Sequence, residues 1–138
     1  AIGQLRDARA RGVEVDIIVP GEKTDMPIVR HGSRHFWGEL LEAGVRLHEY
    51  QPTMYHPKVL IVDGWWTTIG STNLDERSFR LNDESNLNVH DEVFAQTQID
   101  IFNADLQLSR QVTLEEWQNR SSWEKTKDWA SSLLRTQL

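Results

Sequence analysis

The most informative part of this chain is His56-Pro57-Lys58-Val59-Leu60-Ile61-Val62-Asp63, continued after six residues by Gly70-Ser71-Thr72-Asn73. Together the two segments have the form HxKxxxxD(x)6GSxN. In a β-strand, side chains at positions i and i+2 point to the same face, so the spacing predicts that His56 and Lys58 project together. An imidazole beside a fixed ammonium group is suited to chemistry on a phosphate ester.

Two further residues of the motif are interpreted as structural. Asp63 has the opposite parity to His56 in the predicted strand, and it comes just before the turn-like pair Asp63-Gly64. We therefore expect Asp63 to brace the turn or a neighbouring cation. A second strand over 66–70 would return beside the first and end at Gly70, where the chain continues into the polar residues.

Three polar side chains complete the predicted site. The hydroxyl of Ser71 and the amide of Asn73 can donate to phosphate oxygens alongside Lys58. Glu84 lies in an alternating segment that predicts another strand beside the motif. A carboxylate bonded to Nδ1 of His56 would fix the tautomer of the ring and leave Nε2 to attack phosphorus or to protonate a leaving group.

Strands and helices alternate along the chain, which predicts an α/β sandwich with a mixed β-sheet flanked by helices. We expect residues 1–138 to form a single domain, because the length is that of one ordinary domain. The loop between Pro20 and Ser33, with Lys23, Arg30 and His31, either contacts the substrate or is a solvated connection. The predicted helices are 1–11, 32–43, 92–109 and 121–135, and the predicted strands are 13–19, 45–50, 56–63, 66–70 and 84–90.

Composition removes several classes of function. The chain has no cysteine, which excludes disulfides and thiolate catalysis. No apolar run is long enough to cross a bilayer. His31 and His35 are four residues apart, but no third ligand follows at a suitable spacing, so we expect no metal site.

The motif residues resemble the phospholipase D superfamily, for which HxKxxxxD is the defining pattern. The resemblance extends from about Ile2 to Phe102. Over this range the sequence is similar to the C-terminal half of bacterial cardiolipin synthases. Two residues depart from the usual pattern: Pro57 replaces a small residue, and Asp83 replaces an apolar or aromatic one. Neither change removes a catalytic group. The residues that carry the resemblance are His56, Lys58, Asp63, Gly70, Ser71, Asn73 and Glu84.

The resemblance implies a mechanism and a location. Family members place two such motifs across one site, where one histidine forms a phosphohistidine and the other protonates the departing alcohol. No metal or cofactor is required. The implied substrate is a phospholipid, and the implied location is the bacterial cytoplasmic membrane, with peripheral contact or an anchor outside this chain. Water as the acceptor would give a phospholipase D-type hydrolase, and a second phospholipid would give cardiolipin.

Only one HxKxxxxD motif is present, so the chain is expected to supply half of an active site. The second repeat would come from the N-terminal half of the same protein or from a second copy in a homodimer. The first predicted helix has no strand before it, which favours a fragment that begins inside a domain. One-motif members of the superfamily are homodimeric endonucleases. The net charge of −6 argues against nucleic acid as the partner.

Overall fold

The computed structural model describes residues 2–24, 27–72 and 83–132. The chain divides into two compact units. The terminal unit consists of Ala1–Tyr55 with Leu108–Leu138, and the motif unit consists of His56–Gln107.

The terminal unit contains a three-stranded mixed sheet in the order β1-β2-β6. β1 (Asp16–Pro20) pairs in parallel with β2 (Arg46–Tyr50), and β6 (Ser109–Val112) pairs antiparallel with the other edge of β2. The described residues of this unit form five helices. They are α1 (Ile2–Ala10), α2 (Pro27–Arg34), α3 (Trp37–Glu42), α5 (Leu114–Gln118) and α6 (Ser122–Ser132).

The hydrophobic core of the terminal unit lies between α3 and this sheet. Burying these apolar side chains is the main favourable contribution to folding, at roughly 25 cal/mol per Å² of apolar surface. Partly buried side chains from α1, β1 and α5 pack around them. The buried core residues are Trp37, Leu40, Leu41, Val45, Leu47 and Val112.

The single helix predicted over 32–43 is wrong: α2 ends at Arg34 and α3 begins at Trp37. The indole of Trp117 explains the break, because its Nε1 donates to the carbonyl oxygen of Arg34 at 3.1 Å. Gly38 faces the same ring, which a Cβ at that position would overlap. α2 also begins earlier than expected, at Pro27, a residue whose fixed φ suits the first helical position.

The helix predicted over 92–109 also ends early, and the chain returns as β6. The helix after β6, α5, was not predicted, although the sequence contains a signal for it. The side chain of Thr113 accepts a hydrogen bond from the backbone N–H of Glu116 at 3.1 Å, which is the geometry of a helix N-cap. β6 itself has no comparable signal, because Ser109–Val112 is too short and polar to predict a strand.

The motif unit is an antiparallel sheet in the order β3-β4-β5, covered by α4 (Glu92–Gln107). Its strands are β3 (Val59–Val62), β4 (Trp66–Gly70) and β5 (Asn86–His90). The described strands of the whole chain thus form two sheets rather than one. β3 is shorter than the predicted strand 56–63, since Pro57 has no N–H to donate to a ladder.

A tight turn joins β3 to β4. Asp63 and Gly64 both have positive φ, at 53° and 65°, and the N–H of Trp65 donates to the carbonyl oxygen of Val62 at 3.2 Å. Two consecutive positive φ angles are typical of type I′ hairpin turns, for which Asp-Gly is a favoured pair. Trp65 adds a third residue to the connection, so Val62 lies opposite Trp66 in the ladder.

Candidate active site

The antiparallel order of the motif unit brings three separate segments to one end of its sheet. These segments are the start of β3, the end of β4 and the start of β5. Two backbone hydrogen bonds join them beyond the regular strands. The N–H of Gly70 donates to the carbonyl oxygen of Lys58 at 3.1 Å, and the N–H of Ser71 donates to that of Ser85 at 3.1 Å.

His56 and Lys58 lie in the extended segment that leads into β3. The His56 side chain is exposed and Lys58 is half-buried. Lys58 Nζ donates to the carbonyl oxygen of His56 at 3.0 Å. An ammonium group carries three donors, so this bond leaves the lysine further capacity to bind an anion beside the imidazole.

Ser71 and Glu84 are in direct contact. Ser71 Oγ donates to Glu84 Oε2 at 2.5 Å and accepts from the N–H of Ser85 at 3.0 Å. A hydroxyl has one proton, so Ser71 must turn away from Glu84 to donate to a phosphate oxygen. The hydrogen bond between Glu84 and His56 stays a prediction.

Gly70 is required by a close approach between strands. A Cβ at this position would overlap the carbonyl oxygen of Ser85 and Oδ1 of Asn86. A larger residue would therefore push β5 away from β4 at the level where Ser71 and Glu84 meet. This packing gives a physical reason for glycine at this place in the motif.

The other two motif residues are placed differently. Asp63 lies in the hairpin turn, at the end of β3 away from His56 and Lys58. Asn73 lies outside the described residues, so its proposed contact with phosphate stays a prediction.

The terminal unit contains two carboxylates that are almost fully buried and bonded to basic side chains, Glu49 and Asp128. The carboxylate of Glu49, on β2, is 3% exposed and accepts from Arg30 Nη2 and from Arg110 Nη2, both at 2.5 Å. Lys23 donates to the carbonyl oxygen of Pro52 at 2.9 Å. In the loop between Pro20 and Ser33, which was expected either to contact the substrate or to be a solvated connection, Lys23 and Arg30 thus bond to other parts of the protein.

A second buried carboxylate, Asp128 on α6, was not singled out from the sequence. It is 1% exposed, accepts from Arg120, and lies 2.8 Å from Nδ1 of His31. Burial lowers the pKa of Arg120, whose guanidinium also stacks on the ring of Trp117 at 4.0 Å. Nothing in the sequence distinguishes Asp128 from the exposed acidic residues, because its burial depends on how α6 packs on α2.

None of the helices in the described ranges is long and apolar enough to cross a membrane. Within residues 2–24, 27–72 and 83–132, no group of three His, Cys, Asp or Glu side chains is arranged to hold a metal ion.

The motif, its position at the end of a sheet and the α/β architecture define a phospholipase D-like domain. The fold is similar to that of a solved phospholipase D family member, Nuc from Salmonella typhimurium, with a TM-score of 0.67. The similarity covers 81% of this chain and 72% of that one, at 20% sequence identity. At this identity the comparison supports the fold alone.

The family model "Cardiolipin synthase, PLD-like domain" matches residues 1–106, and the chain belongs to that family. Minor cardiolipin synthase ClsB of Bacillus subtilis (strain 168) is 36% identical over 130 residues, 94% of this chain and 32% of the relative. Cardiolipin synthase B of Escherichia coli (strain K12) is 41% identical over 119 residues, and that of Salmonella typhi 47% over 93. These two matches cover 86% and 67% of this chain but only 29% and 22% of the relatives. The chain therefore spans about a third or less of each relative.

Proposed function

We propose that this chain is one catalytic half of a phosphatidyltransferase that makes cardiolipin from phospholipids. The observation that carries the proposal is the assembly of Lys58, Gly70, Ser71 and Glu84 at one end of the motif unit's sheet, with His56 two residues before Lys58. The names of the relatives supply the substrate class. Because the chain spans about a third or less of those relatives, the activity is proposed for the complete protein.

The proposed reaction has two displacements. In the first, one histidine Nε2 attacks phosphorus, a nitrogen–phosphorus bond forms, and the bond from phosphorus to the headgroup alcohol breaks. A second histidine gives its proton to the departing oxygen. In the second displacement, the hydroxyl of another phospholipid attacks phosphorus, an oxygen–phosphorus bond forms, and the nitrogen–phosphorus bond breaks to free the first histidine. The attacking hydroxyl gives its proton to the second histidine. His56 takes one of these two roles.

The remaining polar residues are proposed to stabilise charge on the phosphoryl oxygens. Lys58 has donors left after its bond to the His56 carbonyl oxygen. Asn73 and a rotated Ser71 hydroxyl would add neutral donors beside it. Preorganised donors of this kind contribute several kcal/mol to the stability of a transition state, typically about 3–4 kcal/mol for one strong donor.

A second HxKxxxxD repeat is part of the proposal, because this chain has one such motif. The partner is either another segment of the same protein or a second copy of this chain. Sedimentation of the chain on its own separates the two. A stable dimer would favour a second copy, and a monomer would favour another segment.

Peripheral membrane contact is also proposed. Trp123 on α6 is 67% exposed, and the ammonium of Lys127 lies 5.1 Å from the centre of its ring. An aromatic ring beside a cation suits the interface of an anionic membrane. Co-sedimentation with phosphatidylglycerol vesicles should decrease when both residues are replaced by alanine.

The deciding experiment uses the full-length protein with phosphatidylglycerol vesicles and mass spectrometry of the products. Cardiolipin with release of glycerol supports the transferase. Phosphatidic acid without cardiolipin would indicate a hydrolase instead. Cleavage of supercoiled plasmid by the same sample, with no lipid product, would replace the proposal by an endonuclease.

A further inference from the structure

Asn86, the first residue of β5, contacts Thr72, which follows the motif serine Ser71 at the end of β4. Its Nδ2 donates to Oγ1 of Thr72 at 2.8 Å, and its Oδ1 accepts from the backbone N–H of Thr72 at 3.4 Å. A backbone N–H can only donate, so it requires the oxygen of the carboxamide on its side and fixes the orientation of the amide group. The side chain of Asn86 thus holds both the backbone and the side chain of one residue.

We propose that Asn86 is a positioning residue for the phosphate-handling site, and this inference rests on the proposed function. Its carboxamide holds Thr72, while the backbone of Ser85 holds Ser71 through two hydrogen bonds. Gly70, on the other side of Ser71, lies so close to Asn86 Oδ1 that a Cβ would overlap it. Asn86 therefore contacts both residues that flank Ser71.

The contact between Asn86 and Thr72 acts on the catalytic groups through neighbouring residues. Thr72 connects Ser71 to Asn73 in the chain, and Ser71 Oγ bonds to Glu84 at 2.5 Å. If Asn86 releases Thr72, Ser71 keeps its two bonds to Ser85 but loses the support on its C-terminal side, so its hydroxyl is held less closely beside Glu84. A misplacement of about 1 Å in a catalytic site can cost on the order of a hundredfold in rate.

Positioning can be separated from folding because the contact is accessible to water. Asn86 is exposed and Thr72 is half-buried, so water can replace the lost hydrogen bonds when the carboxamide is removed. We therefore expect the thermal unfolding midpoint to stay near that of the wild type. The catalytic rate should decrease, because water does not hold Thr72 in one place.

The test measures kcat and KM for phosphatidyl transfer by the full-length protein, together with its melting temperature. Asn86→Ala and Thr72→Val should each lower kcat about tenfold, with KM little changed. The double variant should be no slower than the slower single variant, because both changes break the same contact. Thr72→Ser keeps the hydroxyl and should retain the wild-type rate.

Asn88→Ala is the matched control. Asn88 is an exposed asparagine on the same strand, it pairs with Thr68, and its side chain makes no hydrogen bond within the part of the chain that the structure describes. The proposal is overturned if Asn86→Ala keeps the wild-type kcat. It is also overturned if Asn86→Ala lowers the melting temperature together with kcat, because the loss of rate would then follow from unfolding. The proposal would also be overturned if the decrease of kcat in the double variant equalled the product of the decreases in Asn86→Ala and Thr72→Val.

Orthovanadate binding, measured by calorimetry on the same samples, separates this inference from the proposed function. Vanadate adopts the five-coordinate geometry of a phosphoryl-transfer transition state, so its affinity reports on the site without needing the lipid substrate. If the wild type binds vanadate but makes no lipid product, the proposed function fails, and weaker binding by Asn86→Ala still supports positioning. Equal binding by both proteins, or no vanadate binding by the wild type, overturns the positioning role.

Discussion

The terminal unit and the motif unit differ in the burial and pairing of the charged side chains discussed above. In the terminal unit, Glu49 and Asp128 are almost fully buried and each is bonded to basic side chains. In the motif unit, His56 is exposed, and Lys58 uses one donor on a backbone carbonyl. Charges that are buried and paired fix a structure and are not available to a substrate. Groups at the open end of a sheet keep the capacity to bind one.

The two units also differ in their buried apolar residues. Among the described residues, the buried hydrophobic cluster lies in the terminal unit, whereas the motif unit has Ala95 and Thr67 as its buried side chains. The comparison therefore predicts that substitutions in the terminal unit act on stability. Substitutions at the motif act on turnover.

The largest expected effect is the loss of turnover in His56→Ala. An exposed side chain contributes little to stability, but removing an acid/base or nucleophilic group should lower phosphatidyl transfer by about 10²–10⁴-fold. The assay compares kcat and thermal unfolding of full-length wild type and variant. His90→Ala is the control and should keep its rate, because His90 is an exposed histidine of the same unit whose ring packs 4.7 Å from that of Trp65. Turnover within a few-fold of wild type would show that His56 has no catalytic role.

Asp128→Ala should have the largest effect on stability. Removing the carboxylate leaves Arg120 buried without its counter-charge, which typically costs about 3–5 kcal/mol in the free energy of unfolding. Urea unfolding of the chain measures this difference. Asp7→Ala, an exposed aspartate of α1 in the same unit, should change it by less than about 0.5 kcal/mol. Similar values for the two variants would contradict the buried pair.

Glu84→Gln tests the motif unit more finely. The amide keeps the size of the side chain but loses the charge that would orient His56 and that accepts the proton of Ser71. We expect turnover to fall by up to about a hundredfold, with no change in the urea midpoint. Glu92→Gln, an exposed glutamate at the start of α4, is the matched control. Unchanged turnover in Glu84→Gln would remove this residue from the catalytic group.

The smallest effect is expected at Asp16, a carboxylate on β1. Two hydrogen bonds from the guanidinium of Arg46, both 2.6 Å long, lower the pKa of Asp16 below its ordinary value of 3.8. A lowered pKa in the folded state stabilises the protein above pH 3.8, and this contribution is lost as the pH falls through the folded-state value. Arg46 is 42% exposed, so we expect about 1 kcal/mol or less.

Urea unfolding of wild type and Asp16→Asn across the acid range measures this contribution. The difference between the two should be constant near neutrality and should decrease below pH 3.8. A difference that grows as the pH falls would have the wrong sign for a lowered pKa.

The local elements of the motif unit follow closely from the sequence. Strand 66–70 was predicted with the observed bounds, and the Asp63-Gly64 pair forms the hairpin turn that its residue types favour. The start of β3 was misplaced because Pro57 removes a ladder donor. These features depend on neighbours in the chain, which is why alternation and turn chemistry could predict them.

The terminal unit was predicted less well because its details depend on distant contacts. The break between α2 and α3 is made by Trp117, and the burial of Asp128 is made by the packing of α6 on α2. Neither contact leaves a local pattern. β6 was missed for the same reason, since a short polar strand is stabilised by its pairing with β2.

The sequence predicted that His56 and Lys58 act together on a phosphate ester, because side chains two residues apart in an extended segment project to the same face. The structure places both residues in the extended segment before β3, and their chemical roles stay a prediction. The sequence also predicted that Ser71 and Glu84 would lie near them. Tertiary structure decided the partners: Ser71 bonds to Glu84, and Asn86 holds Thr72. The reason is that spacing along a strand specifies which face a side chain occupies, whereas hydrogen-bond partners depend on the register between strands.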